Sequence, residues 1–240
     1  MPRASFGLIL ANRAVVLGAI PARDLIELAQ HAEASGAFDT LWVGDSLLAK
    51  PRLEAVALLS ALAGATSRMR LAVGCLATFV HRHPLLFAQQ WASLDVLSGG
   101  RALLAVCLGG PDEQSPAQAL EHKVMGVRSG ERVGRLEEGI QILRKVWSGE
   151  KASHQGAFYQ FEGVKIEPRP VQQPCPIWIA SNPTGLTWKG GAMSGIRTYT
   201  GYAKTKSGAE YCYALMLNHY TDGKAVSELS KQVMDAIQGL

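Results

Sequence analysis

RLAVGCLATFVHRHPLLFAQQWASLDVLSGGRALLAVCL, residues 70–108, reads as one complete strand–helix–strand unit. Its first run, 70–77, is apolar and rich in β-favouring residues, without the alternation of a half-exposed strand. Pro84 opens a helix, because its fixed φ suits a first turn and its missing N–H is not needed there. Ser98-Gly99-Gly100 stops that helix after Leu97, and a second apolar strand follows over 101–108. Two strands joined through a helix must run parallel, and strands apolar on both faces belong in a sheet covered by helices.

The same alternation extends in both directions. Upstream, residues 5–10 form a first strand and 24–35 a helix, with Leu25, Leu28, Ala29 and Ala32 on one face and Gly36 as its stop. TLWVG, residues 40–44, is the second strand, with its helix over 53–65. Downstream, the helix after the fourth strand spans about 130–147. The aromatics of HQGAFYQFEGVKIEPRP, within 153–170, predict a small β-hairpin outside the main layer. PCPIWIAS, 174–181, is the fifth parallel strand, followed by a Pro- and Gly-containing turn over 182–185. Beyond Trp188 the rule changes to β-like runs at 197–203 and 210–220, a turn between them and an amphipathic helix over 224–237, so antiparallel pairing replaces crossovers.

Composition excludes several classes. The chain has 240 residues, 48% of them hydrophobic and 18% charged, which is the profile of a globular protein with a real core. A net charge of +4, with Lys and Arg scattered among acids, gives no reason to expect nucleic-acid binding. No apolar run reaches the length of a membrane span and no export leader is visible, so a cytoplasmic protein is expected. Cys75, Cys107, Cys175 and Cys212 form neither a CxxC pair nor a Cys/His cluster. They imply no metal and fit a reducing compartment.

Several stretches together resemble the luciferase-like monooxygenase family: LILANRAVVLG (8–18), FDTLWVGDSLLAKPRLEAVALLSALA (38–63), RHPLLFAQQWASLDVLSGGRALLAVCLGG (82–110), RVGRLEEGIQILRKVW (132–147) and FEGVKIEPRPVQQPCPIWIASNP (161–183). The resemblance implies a (β/α) barrel of the TIM type binding FMN or the deazaflavin F420 at the C-terminal ends of its strands, where barrel enzymes place their chemistry. It also implies a flavin- or F420-dependent oxidoreductase or monooxygenase acting on a small-molecule substrate, the redox step being the work of the cofactor ring. Carried over residue by residue, Cys75-Leu76 match a bulge behind the ring that often holds a non-proline cis peptide. Cys107 and Gly109 match a second cofactor-facing strand end, with Leu108 where some members have a phosphate-binding Arg. Ser181, Asn182, Thr184 and Gly185 match the phosphate turn.

Each of these positions also has a plainer reading. A cysteine in an apolar strand is usually a small buried hydrophobe. Asp45 and Ser46 face the mouth of such a site, yet Gly-Asp-Ser is also a common helix-entry turn. Luciferases proper carry a histidine at the position of Ser46, so light emission is not expected. His81 is a candidate proton donor, whereas His83 before Pro84 reads as a helix cap. Arg101 belongs to the bottom of a strand and a structural role, and Trp91, Trp147 and Trp178 to packing.

From Trp188 on, WKGGAMSGIRTYTGYAKTKSGAEYCYALMLNHY (188–220) resembles the end of a penicillin-binding D-alanyl-D-alanine carboxypeptidase, with Lys189-Gly190-Gly191 at its Lys-Thr-Gly position. The Ser-x-x-Lys nucleophile motif of that class is matched only by Ser148-Gly149-Glu150-Lys151, which follows a helix rather than opening one. The expectation is therefore an α/β chain in two parts. Residues 1–188 would be an incomplete barrel of about five parallel strands, and 189–240 a hairpin-and-helix tail, with the seam between about 185 and 194. A serine hydrolase fragment and a non-catalytic fusion are the alternatives. Five strands cannot close, so the outer edges would be covered by the tail or pair between copies of the chain in a homo-oligomer.

Overall fold

The computed structural model describes residues 6–110, 112, 115–180, 189–193, 196–204 and 210–218. The chain divides into two compact units, Phe6–Trp178 and a second that contains the chain from Ile179 onward.

The first unit carries the parallel sheet. Strands β1 (Gly7–Ile9), β2 (Thr40–Val43), β3 (Arg70–Leu76) and β4 (Ala102–Val106) lie side by side in chain order, and Ile177–Ile179 extends that sheet as its fifth strand. Register is parallel throughout the first four, as in Leu8 with Leu41, Leu41 with Leu71 and Leu71 with Ala102. Among the described residues the sheet does not close.

Helices alternate with these strands: α1 (Asn12–Val16), α2 (Ala22–Ser35), α3 (Ala55–Ala65), α4 (Pro84–Leu97), α5 (Pro116–Val124) and α6 (Arg132–Val146). In chain order α2 packs on α3, α3 on α4 and α4 on α6. Their stops follow sequence chemistry. Gly36 ends α2 with φ at 65°, a left-handed cap that glycine adopts without steric cost. Glu54 caps α3 by accepting the Ala57 N–H at 2.6 Å, and His83 caps α4 through Nδ1 before Pro84.

Strand alternation assigns the two faces of the sheet. Leu41, Val43, Leu71, Val73, Ala102, Leu104 and Val106 face the helices and join one core with Phe87, Trp91 and Leu143. Trp42, Gly74, Leu103 and Ala105 fall on the opposite face by the two-residue period. There Trp42 meets Trp178, ring centroids 6.0 Å apart. Cys175 is buried, and desolvation pushes its thiol up to about 12.

Polar staples hold the lower end of the sheet. Arg101 donates to Ser98 O (2.6 Å), Thr66 O (2.8 Å), Met69 O (2.9 Å), Ala63 O (3.0 Å) and Thr66 Oγ1 (3.0 Å), satisfying carbonyls at the end of α3. Burial favours the neutral form of Glu33, but backbone N–H groups of Met69, Ser67 and Arg68 overcome it and hold the carboxyl down at about 2. Buried Asp95 accepts from the Gln172 backbone at 2.9 Å and side chain at 2.7 Å, fixing the loop that delivers the fifth strand.

The hairpin expected over 153–170 is present as β5 (Ala152–Gln155) and β6 (Gln160–Val164), antiparallel. Glu138 of α6 ties it down, accepting from Tyr159 N at 2.8 Å and meeting His154 Nε2 at 3.0 Å. With β7 as Ile177–Ile179, the second unit holds β8 (Lys189–Met193), β9 (Ile196–Lys204) and β10 (Glu210–Asn218) in the order β10-β9-β8. It thus has three antiparallel strands where a two-stranded hairpin was expected, because Lys189–Met193 pairs along β9, from Lys189 with Thr200 to Met193 with Ile196. The helix expected at 224–237 lies outside the described residues.

Candidate functional site

The chemically distinctive side chains collect at the C-terminal ends of β2, β3 and β4. Asp45 follows β2, and its side chain is only 4% exposed. Its Oδ2 accepts the Thr78 N–H at 2.7 Å, and its Oδ1 lies 3.8 Å from Arg82 Nη2. Burial raises its pKa, against the opposing pull of Thr78 and Arg82. Arg82 also bonds Thr78 Oγ1 and pairs with Glu54 at 2.7 Å, so the β2 exit, the turn after β3 and the start of α3 form one network. Ser46, by contrast, accepts the Lys50 N–H at 2.9 Å within the loop before α3, and the helix-entry reading is corrected because Glu54 caps α3.

The turn after β3 is a 3-10 segment, Ala77–His81, and it buries His81. His81 Nδ1 lies 3.6 Å from Glu121 Oε1, and its ring meets His122 edge-on at 5.2 Å between centroids. His122 Nδ1 in turn meets Asp112 Oδ1 at 2.7 Å. Glu121 accepts from Leu48 N at 2.8 Å and Ala49 N at 3.2 Å, which binds the loop after Ser46 to α5. Both ring nitrogens of His81, Nε2 of His122 and Oε1 of Glu121 have no hydrogen-bond partner among the described residues, although all three side chains are at most 2% exposed. Burial lowers the His81 pKa to about 4 despite neighbouring Glu121, so its imidazole is neutral at pH 7.

At the floor, the peptide bond Gly74–Cys75 is cis. A non-proline cis bond thus occurs at the bulge assigned from the sequence, on the N-terminal side of Cys75. β3 shifts register against β4 between Gly74 and Leu76. Cys75 and Cys107 are joined by a disulfide, Cα atoms 5.9 Å apart, so reading either as a simple core hydrophobe is corrected. Spacing gave no hint of the bond because the cysteines are 32 residues apart and the parallel register of β3 and β4 makes them neighbours. Leu76 itself is fully buried in the core on the helix side. Gly74 is exposed, and a Cβ there would lie 2.7 Å from the Trp42 ring. Gly109 has φ at 72°, and the adjacent Gly110 N–H is bonded to Gln118 Oε1 at 2.8 Å. Ser181, Asn182, Thr184 and Gly185 lie outside the described residues.

Four contributors were missed in the sequence. Asn12, fully buried, donates to Gly44 O at 2.9 Å and Leu53 O at 3.1 Å, locking the exits of β1 and β2 together. Glu121 and His122 come from α5, where no helix was expected. Arg132 brings its guanidinium to Gly110 O (2.8 Å) and Leu108 O (3.3 Å), a cation at the strand end where Leu108 had suggested none.

A flat, largely apolar ring with polar edges fits this surface. Exposed backbone at Gly74 lets a ring approach, Trp42 offers an aromatic neighbour, and the turn after β3 and helix α5 carry buried donors and acceptors without hydrogen-bond partners among the described residues, whereas the space over Gly109 is taken by the Gln118 side chain.

A model of the luciferase-like monooxygenase family matches residues 4–192. The chain belongs to that family. Among its relatives, an F420-dependent glucose-6-phosphate dehydrogenase of Amycolatopsis mediterranei is 32% identical over 72% of this chain and 52% of its own. The oxygenase component of a flavin-dependent trigonelline monooxygenase of Acinetobacter baylyi is 29% identical over 66% of this chain and 42% of its own. Among solved structures, the monooxygenase RslO1 of Streptomyces bottropensis superposes with a TM-score of 0.63 at 26% identity, covering 74% of this chain and 54% of that one. The chain spans about half the length of the curated relatives it matches. Lys189-Gly190-Gly191 falls inside the family span, and the serine hydrolase alternative gains no support.

Proposed function

We infer that the strand ends of the first unit bind FMN or F420 and that the protein is a cofactor-dependent oxidoreductase acting on a small molecule. The observation that carries this reading is the concentration on His81, His122 and Glu121 of buried polar atoms with no hydrogen-bond partner among the described residues, His81 standing in the turn that follows β3, the strand on which Gly74 is exposed. Buried polar groups are normally paired, and clusters of exceptions accompany ligand and catalytic sites. Family membership supports the same reading.

In this proposal Gly74, Cys75, Cys107 and Gly109 form the surface against the ring, and Leu76 supports it from the core side. When bound, the cofactor supplies hydride transfer or oxygen activation. The protein positions it, excludes water and handles protons. His81, neutral at pH 7, carries one N–H and one free nitrogen and so can give or take a proton. Asp45, with its carboxyl raised by burial, is the second proton-handling group. Arg132 faces the anionic part of the ligand. Residues 189–240 form a separate tail in this proposal.

Titration of the whole chain with FMN and with F420, followed by cofactor fluorescence, tests the reading. Saturable quenching by one of them is expected, weakened at least tenfold in Gly74→Val, whose side chain would collide with Trp42 and push that ring out of place. Thermal unfolding should shift upward in parallel, since a ligand held at a hundred times its Kd stabilises by about 2.7 kcal/mol. Unchanged fluorescence and melting at saturating concentrations of both cofactors would remove the oxidoreductase assignment.

A further inference from the structure

We propose that Cys75 and Cys107 are a redox-active dithiol/disulfide couple that exchanges two electrons with the bound flavin or deazaflavin; this rests on the cofactor reading above. Three observations place the pair in the chemistry rather than in the core. First, both cysteines stand at strand ends on the functional face of the sheet. Val106 and the residues two and four before it face the helices, so Cys107 follows Leu103 and Ala105 onto the opposite face, the one that carries Trp42. Second, Cys75 is the extra residue in the register shift between the Gly74–Ala105 and Leu76–Val106 pairs, so its side chain is freed from strict alternation. Third, both members are half-buried, in contrast to the buried free thiol of Cys175, so the bond is open to a reactant from the mouth of the site.

The exchange balances without a third reactant. The S–S bond breaks, taking up two electrons and two protons to give two thiols. The dihydro form of the cofactor releases two electrons and two protons and returns to its oxidised form. In reverse, two thiols close to the disulfide and the oxidised cofactor is reduced. The protein thereby gains a second two-electron store next to the ring.

The experiment uses the full chain under anaerobic conditions. Binding of oxidised FMN or F420 is first measured by fluorescence. The protein is then mixed with excess chemically reduced cofactor, quenched in acid, alkylated under denaturing conditions and mapped by peptide mass. Without reductant, Cys75 and Cys107 should be found joined; after reduced cofactor, both should be alkylated, and the visible absorbance of the oxidised cofactor should return in equal amount. Cys75→Ser and Cys107→Ser, each assayed at a cofactor concentration that saturates that variant, should each abolish that return. If Cys75 and Cys107 are alkylated before any reductant is added, or if they stay joined while cofactor binding is saturable, the couple is refuted and the cofactor reading survives. If neither cofactor binds, both fall together.

Discussion

His81 shows what burying an imidazole costs. Its pKa lies near 4 in the folded chain, against an ordinary value of 6.5 once unfolded. Between those values the unfolded chain binds more protons than the folded one, so acid favours unfolding. Stability is therefore full above about pH 6.5 and falls as pH drops towards 4, by at most about 3 kcal/mol from this group. Urea midpoints measured across that window should decline, and His81→Phe should flatten the decline; an unchanged slope would show that His81 does not titrate as a buried neutral group. Glu33 acts lower on the scale. Its contribution is present above its ordinary carboxylate value and disappears only as pH falls through about 2.

At the scale of elements, Arg101 and α5 show what the sequence could and could not reveal. The Ser98-Gly99-Gly100-Arg101 turn was legible, and the structure gives Arg101 the structural role expected of it. Arg101→Ala strips a cation from carbonyls of α3 and the loop before β3, at a cost of about 2–4 kcal/mol. Because these bonds lie at the lower end of the sheet, calorimetry should show a lowered Tm while cofactor affinity stays unchanged. Helix α5 was invisible because its polarity is inverted: it buries Glu121 and His122 and leaves Leu120 and Val124 51% and 59% exposed, so no apolar stripe marks it. Its signal lay in Ser115-Pro116, an N-cap followed by a first-turn proline, and Ser115 does accept the Gln118 N–H. The parallel strands were legible because both their faces are apolar. Glycine-rich Lys189–Met193 lacks β-branched residues and so gave no strand signal, although it pairs.

For the molecule as a whole, the five-stranded sheet has β1 and β7 at its two ends, and exposed Phe6 and Ile9 lie at the β1 side. Open strand edges are templates for further pairing. We propose that copies of the chain self-associate through these edges. Sedimentation velocity of the whole chain should then show a dimer or larger species that dissociates on dilution, and Ile9→Lys should shift it towards monomer. A concentration-independent monomer would argue that the edges are covered within one chain. No helix among the described residues is long and apolar enough to cross a membrane.

Cys175 gives this chain a built-in clock. A thiol held near 12 by burial exposes almost no thiolate to an alkylating reagent while the core is shut. Its labelling therefore waits for the region around Trp91 to breathe. The rate of that single modification counts openings of the native protein, with no engineered probe and without unfolding the rest.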